Sequence, residues 1–298
     1  MPFDMSNCTL CPRGCGADRA GGKTGVCGTG EQVLIARAAA HYWEEPCISG
    51  EKGSGAVFFS GCSLKCVFCQ NYEISSGMKG RAVTVAQLRD IFLRLADTGV
   101  HNINLVNPTH YAAAVAEALE QPVGIPVVYN CGGYESVETL KMLEGKVQIY
   151  LPDMKYSDNA LARRYSGAGD YVERAQAAIM EMYRQTGDYV MDGDGLLKSG
   201  VVIRHLILPG QLENSRGVID WVDNSFLPGS VLFSLMSQYT PCGRAGEYPE
   251  INRRLTEAEY AEIQDYMDGS GIFEGFFQEL EAAGEEYIPD FDFTGVDL

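Results

Sequence analysis

The 298-residue chain predicts an α/β protein built on parallel strands, and three observations carry that prediction. Short apolar runs that are continuous rather than alternating recur six times from residue 56 onward, which suits strands covered on both faces. Helical patterns with recognisable ends lie between them, and strand followed by helix is the pattern of parallel βαβ units. Polar side chains collect where each run stops, and ligands of parallel sheets and barrels bind at the carboxyl ends of their strands.

The runs are AVFFSG (56–61), NINLVNP (102–108), IPVVYNC (125–131), VQIYLPD (147–153), VVIRHLILPG (201–210) and SVLFSLMSQY (230–239). After the first run, Thr84 and Gln87 make a capping box. Val85, Leu88, Ile91, Phe92 and Leu95 then share one helix face, and Gly99 ends the helix. The connection over 157–200 is long, with a helix expected near 171–186. It also holds a turn-rich stretch, MDGDGLLKSG, in which Asp192 and Asp194 read as a surface turn rather than a calcium loop. Thr256 and Glu259 open a last helix by a second capping box. The strand ends supply Cys62, then Asn107 and His110, Asn130 and Cys131, Asp153 and Lys155, Arg204 and His205, and Gln238 and Tyr239. Six polar ends together point to an active site.

Composition narrows the class. With 46% hydrophobic and 21% charged residues the chain can build a core, and no apolar run approaches the ~20 residues that span a bilayer. The start, MPFDMSNC, lacks a basic stretch leading into an apolar one, so a cytoplasmic protein without membrane contact is expected. A net charge of −17 argues against a nucleic-acid partner, since phosphate binding needs clustered Lys and Arg. Acid concentrates over 271–298, read as a solvated end. Ten cysteines in a reducing compartment indicate metal ligation rather than disulfides.

Seven of those cysteines form two clusters. Cys62, Cys66 and Cys69 share a tight loop, and thiolates so spaced can reach three corners of a cubane [4Fe-4S] cluster. Zinc held by three Cys and a His is the rival, but His41 is the nearest histidine before the loop. Cys8, Cys11, Cys15 and Cys27 make a closed four-thiolate set, either a second [4Fe-4S] cluster or zinc. Three close cysteines with one distant favour the cluster. Cys47 reads as a buried thiol or a spare ligand.

The run Cys62-Ser-Leu-Lys-Cys66-Val-Phe68-Cys69 after a first strand resembles the signature of the radical S-adenosylmethionine (SAM) superfamily. That resemblance implies a partial (βα)6 TIM-like barrel, with SAM chelating the iron that no cysteine holds. It further implies reductive cleavage to a 5′-deoxyadenosyl radical that abstracts hydrogen. HYWEEPCISGEKGSGAVFFSGCSLKCVFCQNYEIS, NINLVNPTHY, VYNCGGYESVETL, QIYLPDMKY, RHLILPG and SLMSQYTP resemble PflX-type relatives of pyruvate formate-lyase activating enzyme.

The resemblance implies SAM contacts from Phe68, Asp153 and Lys155. Asn107, His110 and Asn130 stand where relatives carry acidic or Gly-Gly-Glu positions, and Arg204 is placed to bind adenosine or a carboxylate. Cys131, Cys242 and His110 are candidates for hydrogen or proton transfer, each with a structural reading beside it. Implied partners are SAM, a reducing donor of flavodoxin or ferredoxin type, and a protein or peptide substrate. The expected organisation is a Cys-rich metal-binding segment over 1–50, the barrel over 51–242, and a helical, acidic extension over 243–298 whose start after Pro241 could close over substrate. Two other readings are a radical enzyme acting on a small molecule or peptide without a glycyl-radical partner, and an iron–sulfur electron carrier or sensor.

Overall fold

The computed structural model describes residues 3–272, 274–277 and 289–297. Its strands are β1 (Val33–His41), β2 (Ser54–Phe59), β3 (Arg81–Val83), β4 (Ile103–Val106), β5 (Val127–Cys131), β6 (Ile149–Pro152), β7 (Val190–Met191), β8 (Leu197–Leu206), β9 (Leu232–Met236) and β10 (Gly275–Phe277). The six expected runs are β2, β4, β5, β6, β8 and β9, paired parallel in that order. This is the α/β architecture of a partial TIM-like barrel. β10 extends it in parallel beyond β9. At the other edge β1 pairs antiparallel with β2, and β3 with β1; β7 pairs antiparallel with β8.

The pleat explains why these runs are continuously apolar. Val127, Tyr129, Tyr150, Val201, Ile203 and Phe233 pack with helix residues such as Leu88, Ile91 and Phe92. The alternate residues Val128, Ile149, Leu151, Val202 and Leu232 point to the opposite face. What fills that inner face is the connection between β1 and β2. Its short helix Pro46–Ser49 buries Cys47 and Ile48 against the inner row. The hairpin therefore plugs the barrel from within, and Cys47 is the buried thiol expected of it.

Both capping boxes form as the sequence requires. Thr84 and Gln87 bond reciprocally at the head of Val85–Asp97, and Thr256 and Glu259 do so at the head of Glu257–Asp268. The helix expected near 171–186 is Tyr171–Thr186. Asp192 accepts from the Asp194 and Leu196 amides at 3.0 Å and pairs with Lys198 at 2.8 Å, an ordinary turn. No helix among the described residues is long and apolar enough to cross a membrane.

Of the acidic end, Glu279, Glu281, Glu285 and Glu286 lie outside the described residues. The last described stretch runs along β1: Phe293 N donates to Ala36 O at 3.0 Å and Ala38 N to Thr294 O at 2.8 Å. Arg37 pairs there with Asp292 at 2.8 Å.

Candidate active site

A cavity of about 750 Å³ opens at the carboxyl ends of the strands. Cys62, Cys66 and Cys69 all line it, on the loop that leaves β2. Lys65 takes a left-handed φ of 52° within that loop. Neighbours pin the loop: Val67 N donates to Tyr165 O at 2.8 Å, Arg244 N to Val67 O at 2.6 Å, and Arg13 Nε to Ser63 O at 2.8 Å.

Each sulfur has a donor of its own. Asn107 Nδ2 lies 3.1 Å from Cys62 Sγ, Ser166 Oγ 3.0 Å from Cys66 Sγ, and Ser75 Oγ 3.3 Å from Cys69 Sγ. Burial pushes the Cys62 thiol up and the Cys69 thiol up to about 12, and the neighbouring Cys66 pushes both further. Three thiolates could share this wall only around a positively charged group, and the surrounding donors suit metal-bound sulfur. Among the described residues no three His, Cys, Asp or Glu side chains gather as ligands of one ion would. A cubane asks for less convergence, because each cysteine binds a different iron. The loop fits that group.

The inner face turns polar two residues beyond its apolar row, where Asn130, Asp153 and Arg204 follow Val128, Leu151 and Val202. Each Arg204 nitrogen donates once: Nε to Asp153 Oδ1 at 2.9 Å, one terminal nitrogen to Glu44 Oε2 at 3.0 Å, the other to Asn130 Oδ1 at 2.7 Å. Asn104 and Asn130 donate to the other Glu44 oxygen at 3.1 and 3.0 Å. Lys155 Nζ pairs with Asp153 Oδ2. Burial pushes Asp153 up, but Arg204 and Lys155 more than offset it and hold the carboxyl below its ordinary value. Glu45 is buried beside this network, 4.0 Å from Arg204, and burial pushes its carboxyl up.

Sequence reasoning singled out Asp153, Lys155, Asn130 and Arg204, and all four line the cavity. It missed Glu44, which the plug delivers to them. The one available hint was chemical, since an arginine held in a barrel interior needs carboxylates.

The other named residues divide. Phe68 lines the cavity and meets Tyr165 and Tyr239 edge-on, with centroids 6.4 and 6.0 Å apart. Asn107, Cys131 and Cys242 also line it. Cys131 is buried against Glu135, and burial followed by that carboxyl pushes its thiol well up.

His110 is not brought to the cavity. It is buried with Nε2 2.8 Å from Ser60 O, and burial pushes it down to about 4, so it is neutral near pH 7. His205 is likewise structural, bonded to Met154 O at 2.7 Å and Ser215 Oγ at 2.8 Å.

Glu135 was missed altogether. It receives Tyr129 OH at 3.1 Å and lies 2.6 Å from Thr109 Oγ1, and burial pushes it up to about 7.

The amino-terminal cysteines sit against the same loop. A Cβ on Gly25 would lie 3.3 Å from both Cys15 Sγ and Cys27 Sγ. Burial pushes Cys11 up to about 12, with Cys27 and Cys8 adding to the effect. Arg19, only 1% exposed, ties the segment down, donating to His110 O at 2.7 Å and Gly30 O at 2.8 Å. Cys62 N donates to Cys27 O at 3.3 Å, so the two cysteine sites meet through one backbone hydrogen bond. Gly61 permits that approach, since with φ 91° its Cβ would fall 2.4 Å from Thr29 Cγ2.

The fold and the three-cysteine loop define a radical SAM protein. The profile described as Radical SAM superfamily matches residues 56–222, more than half of the chain, and the chain belongs to that superfamily. Enzymes of this class catalyse radical chemistry with a [4Fe-4S] cluster and SAM. The chain is 30% identical over 226 residues to the uncharacterized protein MJ0674 of Methanocaldococcus jannaschii, covering 72% of this chain and 61% of that protein.

Among solved structures, Streptococcus suis SuiB bound to precursor peptide SuiA matches with a TM-score of 0.51 at 16% identity, over 77% of this chain and 49% of SuiB. SuiB bound to S-adenosylmethionine matches at 0.52 and 15%, over 76% and 50%. At such identities the likeness concerns the fold. The chain spans about three fifths of MJ0674 and half of SuiB.

Proposed function

We propose that this protein is a radical SAM oxidoreductase of the activating-enzyme kind, abstracting hydrogen from a protein or peptide in a reducing, cytoplasmic setting. The observation that carries this is the shared cavity wall of Cys62, Cys66 and Cys69, each sulfur with a donor and no fourth cysteine in the loop. Those three would hold a [4Fe-4S] cluster and leave one iron for SAM. With one electron from a flavodoxin- or ferredoxin-type donor, cluster and SAM together supply methionine and a 5′-deoxyadenosyl radical.

The chain's own residues position and enclose. Asp153 and Lys155, an ion pair on the cavity floor, offer opposite charges to a zwitterionic methionine and a ribose. Asn130 adds an amide, and Phe68 a ring face for adenine. Arg204 acts through Asp153 and Asn130, to which it donates from Nε and one terminal nitrogen while the other reaches Glu44. Cys131 and Cys242 are the thiols available on the wall for hydrogen transfer. Behind these polar groups the apolar row Val128, Leu151 and Val202 packs against Cys47 and Ile48.

The mouth is rimmed by the exposed Tyr42 and Trp43, which suits a peptide chain. SuiB, with a similar fold, is bound to a precursor peptide in its structure, and this supports the same substrate class. The quoted PflX-type stretches favour a glycine of a partner enzyme as the hydrogen donor. Cys8, Cys11, Cys15 and Cys27 would hold a second [4Fe-4S] cluster.

The test is anaerobic reconstitution. With dithionite and SAM the protein should release 5′-deoxyadenosine, and the Cys62→Ala variant should not. Absence of the product in iron-loaded wild type refutes the enzyme reading and leaves a carrier or sensor. A glycyl-radical electron paramagnetic resonance doublet on a partner supports activation, whereas modified peptide without it favours the other radical enzyme. About eight irons per chain mean two clusters, and about four with one zinc mean one.

A further inference from the structure

Asn107 follows β4 directly with a φ of 32°, a backbone state that asparagine tolerates better than most side chains. Its amide is held at both ends. Thr109 Oγ1 donates to Asn107 Oδ1 at 2.9 Å, which leaves the NH2 end to face Cys62 Sγ at 3.1 Å. The same hydroxyl lies 2.6 Å from Glu135 Oε1. A hydroxyl has one proton, so Thr109 cannot donate both to Asn107 and to an ionised Glu135. With Glu135 neutral every group donates once: Glu135 to Thr109, Thr109 to Asn107, Asn107 to Cys62. Burial favours that neutral form. Thr109 and Glu135 are 1% and 2% exposed, and neither lines the cavity.

We propose that Thr109 and Glu135 are positioning residues that lock the Asn107 amide onto the Cys62 sulfur, and that this N–H···S hydrogen bond sets the reduction potential of the cluster held there. The inference rests on the reading of the three-cysteine loop as a cluster site. Reduction adds negative charge that spreads onto the thiolates, and a fixed N–H beside one of them stabilises the reduced form. Ser166 and Ser75 serve the other two sulfurs with hydroxyls, and the Ser166 hydroxyl is also 2.7 Å from Tyr156 OH. The Asn107 amide cannot turn without losing Thr109 as well.

The experiment is a redox titration of the reconstituted protein without SAM, followed by electron paramagnetic resonance of the reduced loop cluster. Thr109→Val keeps shape and removes the lock. At the wild-type midpoint it should lower the ratio of reduced to oxidised cluster about tenfold, or about 59 mV for a one-electron couple. Thr109→Ser should restore the wild-type ratio. Glu135→Gln keeps a donor toward Thr109 and should leave the ratio at or above wild type. Electron–nuclear double resonance in H2O against D2O should show one exchangeable-proton coupling to the reduced cluster that is present in wild type and missing in Asn107→Asp, while those from the Leu64 amide and the Ser75 and Ser166 hydroxyls remain.

Four irons at the loop with the Thr109→Val ratio within twofold of wild type overturn this inference and leave the proposed function standing. Wild-type protein that takes up no iron at the loop overturns both.

Discussion

Glu135 allows a signed prediction, because a buried carboxyl that titrates late makes stability depend on pH. Its partners are Thr109, Tyr129 and Cys131, and Cys11 is the nearby group of the amino-terminal segment. Burial raises the carboxyl from 4.5 to about 7. A carboxyl whose folded value is raised contributes its full stability below the unfolded value, and that contribution fades as pH climbs to the folded value. One pKa unit corresponds to about 1.4 kcal/mol, so the fade between pH 4.5 and 7 amounts to about 3 kcal/mol. Above pH 7 both states are ionised and the loss stops growing.

Glu135→Gln preserves shape and hydrogen bonding but cannot ionise. The assay is urea unfolding of wild type and variant in parallel, anaerobically, from pH 4.5 to 8.5, followed by circular dichroism. Near pH 4.5 the two should unfold at similar urea concentrations. By pH 7.5 the variant should be the more resistant by about 3 kcal/mol, on the order of 1 M urea for a chain of this size. A difference that stays constant across that range would mean Glu135 is not held neutral by its surroundings, and the argument from burial would be refuted.

Three further outcomes are expected. Arg204→Met strands the Glu44 and Asp153 carboxylates in the interior and should cost about 3–5 kcal/mol by thermal unfolding, with partial recovery when Glu44→Gln is added. Thr84→Ala removes one capping box and should cost about 1 kcal/mol while leaving iron content unchanged. Gly61→Ala forces a side chain against Thr29 and the Cys27 carbonyl at a left-handed φ, so iron analysis should show losses at both cysteine sites rather than one.

The sequence made the parallel strands readable because both their faces are apolar, and a strand such as Ile149–Pro152 is buried along its whole length. The capping boxes were equally readable, since a cap is a contact between residues three apart. The plug was not. Cys47 and Ile48 are buried by Val128, Leu151 and Val202, far along the chain, and a four-residue helix has too few turns to show a period. β1 escaped for a related reason: its small and charged residues, VLIARAAAH, make sense only once the last described residues and β3 lie beside it.

At the site, residue type was easier to read than partner. Arg204 was recognised as a polar strand end and expected to meet a ligand, whereas its carboxylate Glu44 lies 160 positions earlier. Asn107 was recognised for its hydrogen-bonding capacity, and the structure turns one end of it toward a sulfur.

These partners share an origin in the chain. The four amino-terminal cysteines, the Glu44–Glu45 pair and the three-cysteine loop all lie within residues 8–69, joined by the β1–β2 hairpin. The later strands answer with the complementary groups, Asn104, Asn130 and Arg204 for Glu44, and Asn107 for Cys62. A buried ion pair is weak support for stability, because desolvation offsets much of its attraction, yet losing one partner is costly. The network around Glu44 therefore acts chiefly on register: the plug has low energy only when Glu44 reaches Arg204 and both asparagines. Because β2 follows the plug directly, the same register places Cys62 at the strand end where Asn107 waits. A hairpin shifted by one residue would turn every alternate β2 side chain to the wrong face and misplace the cysteine loop with it.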